Sequence, residues 1–309
     1  MLDIFLNTLP FFAIIGLGYG AAVKRFFPPE ATVYLTRFVF YFALSAMLFG
    51  FAANLSFQSL VNWNFIAAYL CASIPIYLLA LAIALKRSSG LAEAAVEAQC
   101  AVIGNVGFLG IPMLSLLLSE AAVVSILIVL VIDLIVFGSL IVILITVARD
   151  GRMKFSVLST IAFGLLKNPM IVSICAGLIW SATGFAVPRP VDDFLKLLGA
   201  AATPGALFAI GASLASKSVD RPTIAVWLAF CKLVLHPASV AIFALFVFDV
   251  EPFAAAVMIA AASLPVAGNV YILAQHYGIA PHRVSTSILI STVLSILTVS
   301  AVVAWVTVG

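Results

Sequence analysis

Apolar residues run through this chain in long blocks separated by short polar stretches. They show neither the two-residue alternation of a half-buried strand nor the one-sided stripe of a helix with a wet face. A helix needs roughly 20 apolar residues to cross the hydrocarbon core of a bilayer. Windows of that length predict about ten spans: residues 4–23, 33–53, 63–85, 92–118, 121–147, 169–185, 194–215, 223–248, 253–275 and 284–306. Two blocks are interrupted near their middle. One reads CAVIGNVGFLGIPML around Gly104, Asn105, Gly107, Gly110 and Pro112; the other reads AASLPVAGNVYILAQ around Pro265, Gly268 and Asn269. A helix in lipid satisfies its backbone internally, so a break frees amides and carbonyls that need partners or a watery cavity. Paired breaks at corresponding places in two halves point to a transporter's binding site.

Composition agrees with the pattern and excludes other classes. With 65% hydrophobic and 9% charged residues and a mean hydropathy of +1.27, the chain departs far from the roughly 25% charge of soluble domains. Outer-membrane barrels alternate in strands of about ten residues, whereas these runs are helical in length, so the expected fold is all-α and membrane-embedded. The loops are too short to hold a nucleotide-binding or catalytic domain, and there is no HExxH, no paired CxxC and no phosphate loop. No enzyme, no ATP motor, no metal and no cofactor is expected. The four cysteines, Cys71, Cys100, Cys175 and Cys231, are far apart in predicted spans and read as small buried hydrophobes. The opening MLDIFLNTLP has no basic region ahead of its apolar run and contains Pro10, which predicts a retained first helix, not a cleaved signal peptide.

Charge sets an orientation. The odd-numbered loops hold Lys24, Arg25, Lys86, Arg87, Arg149, Arg152, Lys154, Lys167, Lys217, Arg221 and Arg283, whereas the even-numbered loops hold Arg189 and Lys196 beside Glu120, Asp192, Asp193, Asp249 and Glu251. By the positive-inside rule the odd loops are cytoplasmic and both termini face outward, as expected of a multi-pass protein of the cell (inner) membrane. The net charge of +3 is then a topology signal, and no nucleic-acid partner is implied.

The irregular residues of the second half fall on those of the first at a shift of roughly 160 positions. Pro10 with Gly16 and Gly18 matches Pro169 and Gly177; FALSAMLFGFAANL matches GAATPGALFAIGASL; Ile74-Pro75 matches His236-Pro237; Asn105 matches Asn269. The predicted organisation is therefore a five-helix repeat over residues 1–150 and an inverted copy over 151–309, a design that supports alternating access around one central site. Crossing of the two breaks would bring together half-helix N-termini near Val106 and Val266, whose positive dipole ends and free amides favour an anion, most simply a carboxylate. Gly104, Gly107, Gly110 and Gly268 would admit substrate close to the backbone, while Asn105 and Asn269 would hydrogen-bond it or cap the half-helices. Pro112 and Pro265 are expected to shape the site.

Candidates for coupling lie deeper. Asp133, midway through the fifth span, is a costly intramembrane acid that suits proton relay or cation binding, or helix packing. Lys232 and His236 share a face of the eighth span at i and i+4; Lys232 would snorkel to the cytoplasmic end or pair with an acid such as Asp133, and His236 would titrate or pack. Glu93 and Glu97 read as a solvated entrance face, and Arg37 as an interfacial anchor. Ser285, Thr286, Ser287, Ser291 and Thr292 are read as helix-to-helix or within-helix hydrogen bonders before path-lining residues. Trp63 and Trp180 suit interfacial belts.

In this order and spacing the motifs resemble those of the auxin efflux carrier family, which includes plant PIN auxin exporters and bacterial carriers of malonate or malate. The resemblance covers nearly the whole chain and rests on NVGFLGIP, SLPVAGNVYILAQHYG followed by RVSTSILIS, KNPMIVSICAGLIW, the run ending at Ala215 and CKLVLHP. It implies a ten-helix fold similar to bile-acid/sodium symporters, with scaffold helices one, two, six and seven and a moving, elevator-like transport domain of helices three to five and eight to ten. It also implies an organic anion as substrate, whether malonate, malate or an auxin-like monocarboxylate, and a homodimer formed through the scaffold. By motif position Asn105 is the crossover asparagine and Pro265 the second crossover proline. The plant proteins carry proline where this chain has Gly104, and many relatives do where it has Ser45, which favours a small bacterial-type anion over auxin. H+ or Na+ could couple; Na+ symport of the bile-acid type is disfavoured because neither crossover holds an acid. A ligand sensor that does not transport is the reading from another class.

Overall fold

The computed structural model describes residues 2–55, 62–87, 90–150, 156–215 and 221–308, and among these it is helical throughout, with one isolated bridge between extended residues. In chain order the helices are α1 (Leu2–Val23), α2 (Pro29–Ala53), α3 (Trp63–Lys86), α4 (Leu91–Val102), α5 (Val106–Leu118), α6 (Ala122–Arg149), α7 (Ser156–Lys167), α8 (Pro169–Ala182), α9 (Arg189–Ala215), α10 (Pro222–Val247), α11 (Pro252–Ala262), α12 (Gly268–Tyr277) and α13 (Pro281–Val308). Six of them, α2, α3, α6, α9, α10 and α13, are long and apolar enough to cross a membrane, and the pair α7 and α8 makes a seventh if its 71° bend is one span. Apolar side chains such as Phe26, Leu166, Leu197 and Phe246 are exposed, the outward-facing surface expected when the surroundings are lipid.

The sequence missed α7, and the reason is local. Asn168 caps α8 by accepting from the Met170 amide at 3.0 Å, and Pro169 takes the first turn, where its missing N–H costs nothing. The chain therefore turns sharply at a place where hydropathy alone sees only the second arm.

Small residues bring helices into contact. α1 packs along α9 and α2 along α8. A Cβ on Gly18 would strike the Phe208 carbonyl, one on Gly211 the Ile15 carbonyl, and one on Gly177 would lie 2.8 Å from the Phe49 carbonyl. Glycine is required at these approaches because the obstacle is backbone, which cannot swing away. Gly211→Leu should therefore cost about 3 kcal/mol or more, read as loss of the monodisperse peak on heating and size-exclusion chromatography, whereas Gly16→Ala, at an open position, should be silent.

Two sequence expectations are corrected by the packing. Cys71 and Cys175 are exposed; Cys100 and Cys231 alone are buried as expected. Glu97 is not solvated: it is buried and pairs with Arg87 and, at 2.6 Å, with Arg283, which also reaches Glu93 at 3.1 Å. This ionic knot ties the end of α3 and the start of α4 to the start of α13.

Candidate substrate site

Five interruptions of regular helix matter to the site, three of them widened π turns: Val106–Gly110 at the start of α5, Asp133–Phe137 in α6 and Cys231–Leu235 in α10. Such turns often mark functional positions because they re-aim side chains and leave backbone groups unpaired. Asn105 immediately precedes the first, Asp133 opens the second, and Lys232 lies in the third with His236 directly after it.

The other two interruptions are extended segments, and they meet. Between α4 and α5 the chain opens at Ile103 and Asn105; between α11 and α12 it opens through Ala267. Gly104 and Val266 form an antiparallel bridge. The Asn105 amide donates to the Pro265 carbonyl at 2.8 Å and the Ala267 amide to the Ile103 carbonyl at 3.0 Å. The Val266 amide donates to Ser291 Oγ at 3.1 Å. Each break thus satisfies the other, as dry backbone requires. Gly104 lies close against its neighbours: a Cβ there would sit 3.2 Å from Lys232 Cε and 3.3 Å from the Ala261 carbonyl.

The half-helices leaving the crossing begin at Val106, as expected, and at Gly268, two residues beyond the expected Val266, whose amide is already committed to Ser291. The first amides of a helix have no acceptor within it. Neither asparagine caps these ends: the Asn105 side chain makes no cap bond, and α12 has Ala267 at its cap position with none. What holds Asn105 in place is its backbone, whose carbonyl accepts from Leu109 at 3.0 Å and Gly110 at 2.9 Å.

A cavity of about 730 Å³ lies against the crossing. Its buried lining includes Gln99, Gly104, Asn105, Gly107 and Asp133; Gly268 and Asn269 are half-buried; Lys167, His276, Ser159 and Thr160 form exposed lining. Phe40 and Phe108, stacked at 6.1 Å, and Met170 supply apolar wall. Three buried oxygens of lining residues have no partner: Gln99 Oε1, Asn269 Oδ1 and Asp133 Oδ2. Unsatisfied buried polar atoms call for an explanation, and an amide can turn either its oxygen or its nitrogen toward a ligand. Gly268 faces open space; at Gly107 a Cβ would meet the flexible Met170 tip at 2.5 Å.

The remaining predicted positions lie outside this lining. Val106, Pro265 and Val266 are buried in the crossing itself. Gly110 serves packing, since a Cβ there would be 2.7 Å from Leu264 Cδ1, and Pro112 is buried in the first turn after the π turn. Lys232 and His236 sit behind the crossing. Lys232 is 0% exposed and does not snorkel; it donates to the Ala262 carbonyl and lies 3.3 Å from His236 Nδ1, while Asp133 is beyond ion-pair contact. His236 Nε2 is 2.9 Å from Ser73 Oγ, and Tyr69, whose ring meets the His236 ring edge-on, donates to Asp133 Oδ1 at 2.9 Å.

Sequence reasoning overlooked Tyr69, Ser73 and Gln99. The signal was present: Tyr69 and Ser73 are polar positions at i and i+4 in an otherwise apolar span, hence on one face, and Gln99 precedes the first break by just over a turn. Ser285, Thr286, Ser287 and Thr292 are buried in α13, and Ser285, Thr286 and Ser287 bond the carbonyls of their own helix. Ser291 does more, through its bond to Val266.

Comparison with known proteins bears on this geometry. The profile of a family described as "Membrane transport protein" matches residues 3–303. A Rhizobium meliloti (strain 1021) protein named "Putative malonate transporter" is 31% identical over 296 residues, covering 95% of this chain and 92% of that protein.

Proposed function

Since the chain belongs to the membrane transport protein family that contains the auxin efflux carriers, we propose that it is a secondary transporter of a small organic carboxylate, with a malonate-like dicarboxylate as the favoured cargo. The observation that carries the reading is the meeting of two broken helices beside a cavity lined by Asn105, Gly107, Gly268 and Asn269, at the starts of α5 and α12. An anion suits this arrangement because the two helix starts each carry a partial positive charge and unpaired donors. The relative's name supports a dicarboxylate, and Lys167 and His276 in the exposed lining suit a second carboxylate.

The architecture we assign is ten passes, with α4 and α5 as one broken span and α11 and α12 as another, in inverted repeats over 1–150 and 151–309. The scaffold is α1, α2, α7 with α8, and α9, and it dimerises; the remaining helices move as an elevator. Both termini face outward from an inner membrane, so the exposed lining, which flanks the basic loops near Arg149 and Arg283, opens to the cytoplasm.

Asp133 is the coupling group in this reading. One oxygen is held by Tyr69, the other is buried without a partner, and the residue lines the cavity, so it can take a proton when substrate is absent and lose it to water in the open state. In proteoliposomes a proton gradient should drive saturable malonate accumulation, and a sodium gradient should not. Asp133→Asn, which keeps the Tyr69 bond, should abolish gradient-driven accumulation yet spare malonate/malonate exchange. Accumulation of a neutral or cationic compound in place of carboxylates would overturn the reading.

A further inference from the structure

Among the described residues five buried side-chain atoms lack a hydrogen-bond partner, and three of them, Gln99 Oε1, Asp133 Oδ2 and Asn269 Oδ1, belong to residues that line the cavity. Packing faults would scatter; this gathering points to a ligand. Asp133 and Asn269 already have roles in the reading above, and Gln99 has none. It is 2% exposed on α4, where a polar atom without a partner is costly. The bond made at this position belongs to the main chain, whose carbonyl accepts from the Ile103 amide at 2.9 Å. That bond closes the last turn of α4 before the chain opens, and Ala98, Cys100 and Ala101 around it are fully buried. The backbone under Gln99 is therefore fixed, as a recognition group requires, while no hydrogen bond to its Oε1 ties the side chain to the protein.

We propose that Gln99 binds the cargo directly: its side-chain amide donates to a carboxylate, alongside those of Asn105 and Asn269, so that the inner lining reads the anion through three neutral carboxamides. The proposal rests on the reading of the cavity as an organic-anion site. Oxygen and nitrogen of a carboxamide exchange places by a half-turn, so the space beside the unpaired Oε1 is equally a place for an N–H donor. A carboxamide also suits a site that empties in every cycle, because it offers two donors and leaves no bare charge buried when the anion departs.

The test measures radiolabelled malonate binding and the ligand-free melting temperature of the purified protein for wild type, Gln99→Met and Gln99→Leu, whose side chains approach glutamine in length and in bulk. The variants should hold malonate roughly tenfold or more weakly, the effect of losing a hydrogen bond to a charged group. They should melt no lower than wild type, because an apolar group in place of an unpaired polar one is neutral or stabilising. Malonate at about ten times its wild-type Kd should then stabilise the variants at most roughly a third as much as it stabilises wild type. A structural role for the side chain would move the melting temperature instead. Either variant showing both weaker binding and an unlowered melting temperature supports the proposal. If neither does, whether through undiminished binding, melting below wild type or failure to fold, the proposal is overturned. A wild type that holds malonamide or choline and not malonate would strike the carboxylate reading separately; that probe then replaces malonate, and the same two readings judge Gln99.

Discussion

Asn105→Ala is expected to weaken carboxylate binding roughly 10- to 100-fold, because a hydrogen bond to a charged group contributes about 1.5–3 kcal/mol, and to lower flux at limiting substrate by the same factor. The fold should survive. Asn105 is 6% exposed, and its structural work is done by its amide, bonded to Pro265, and its carbonyl, which receives Leu109 and Gly110. Its side chain caps nothing. Alanine preserves every backbone bond and removes only the side-chain amide of a cavity-lining residue. Asn105→Asp should be more severe for the same reason, since it sets a negative charge beside an anion. Unchanged binding by Asn105→Ala, with the melting temperature also unchanged, would remove Asn105 from the site.

The second large effect concerns stability. Glu97→Ala should cost about 3–5 kcal/mol, the range for breaking a buried pair and stranding its partner, and lower the melting temperature by roughly 10 °C. Two cations depend on this one carboxylate: Arg87, and Arg283, whose side chain is only 5% exposed and whose Nε already lacks a partner. Glu93 makes the contrast. Its side chain is 44% exposed, so Glu93→Ala should cost no more than about 1 kcal/mol. Equal losses for the two variants would show that the knot is not held by its buried member.

Much of the site was legible because glycine, proline and asparagine are conspicuous in apolar runs. Where lipid forbids loose backbone, such residues must either pair with another break or face a cavity, and those at Asn105 and Asn269 do both. The limits of the sequence have physical causes as well. Glu97 looked solvated because Glu93 is one turn away, while its true partners lie on the preceding loop and on α13, a tertiary contact that no local pattern encodes. Lys232 looked able to snorkel because its reach to the helix end is sufficient; the carbonyl that retains it, at Ala262, lies at the end of α11, a tertiary partner that no local pattern encodes. The start of α12 was misjudged by two residues because a hydroxyl on α13 extends the strand-like segment through Val266. Asp133 was visible as a lone acid, yet its partner Tyr69 was not, since a tyrosine in a membrane span reads first as packing.

The most direct measurement is displacement of radiolabelled malonate from the purified protein by a scintillation-proximity assay, with malonate, other small mono- and dicarboxylates, and malonamide as competitors, repeated on Asn105→Ala. Anionic dicarboxylates should displace the label, malonamide should not, and the variant should hold the label at least roughly tenfold more weakly. Retention of no carboxylate at all, together with binding of a neutral or cationic ligand, would contradict the claim that the crossed helix ends form an anion site.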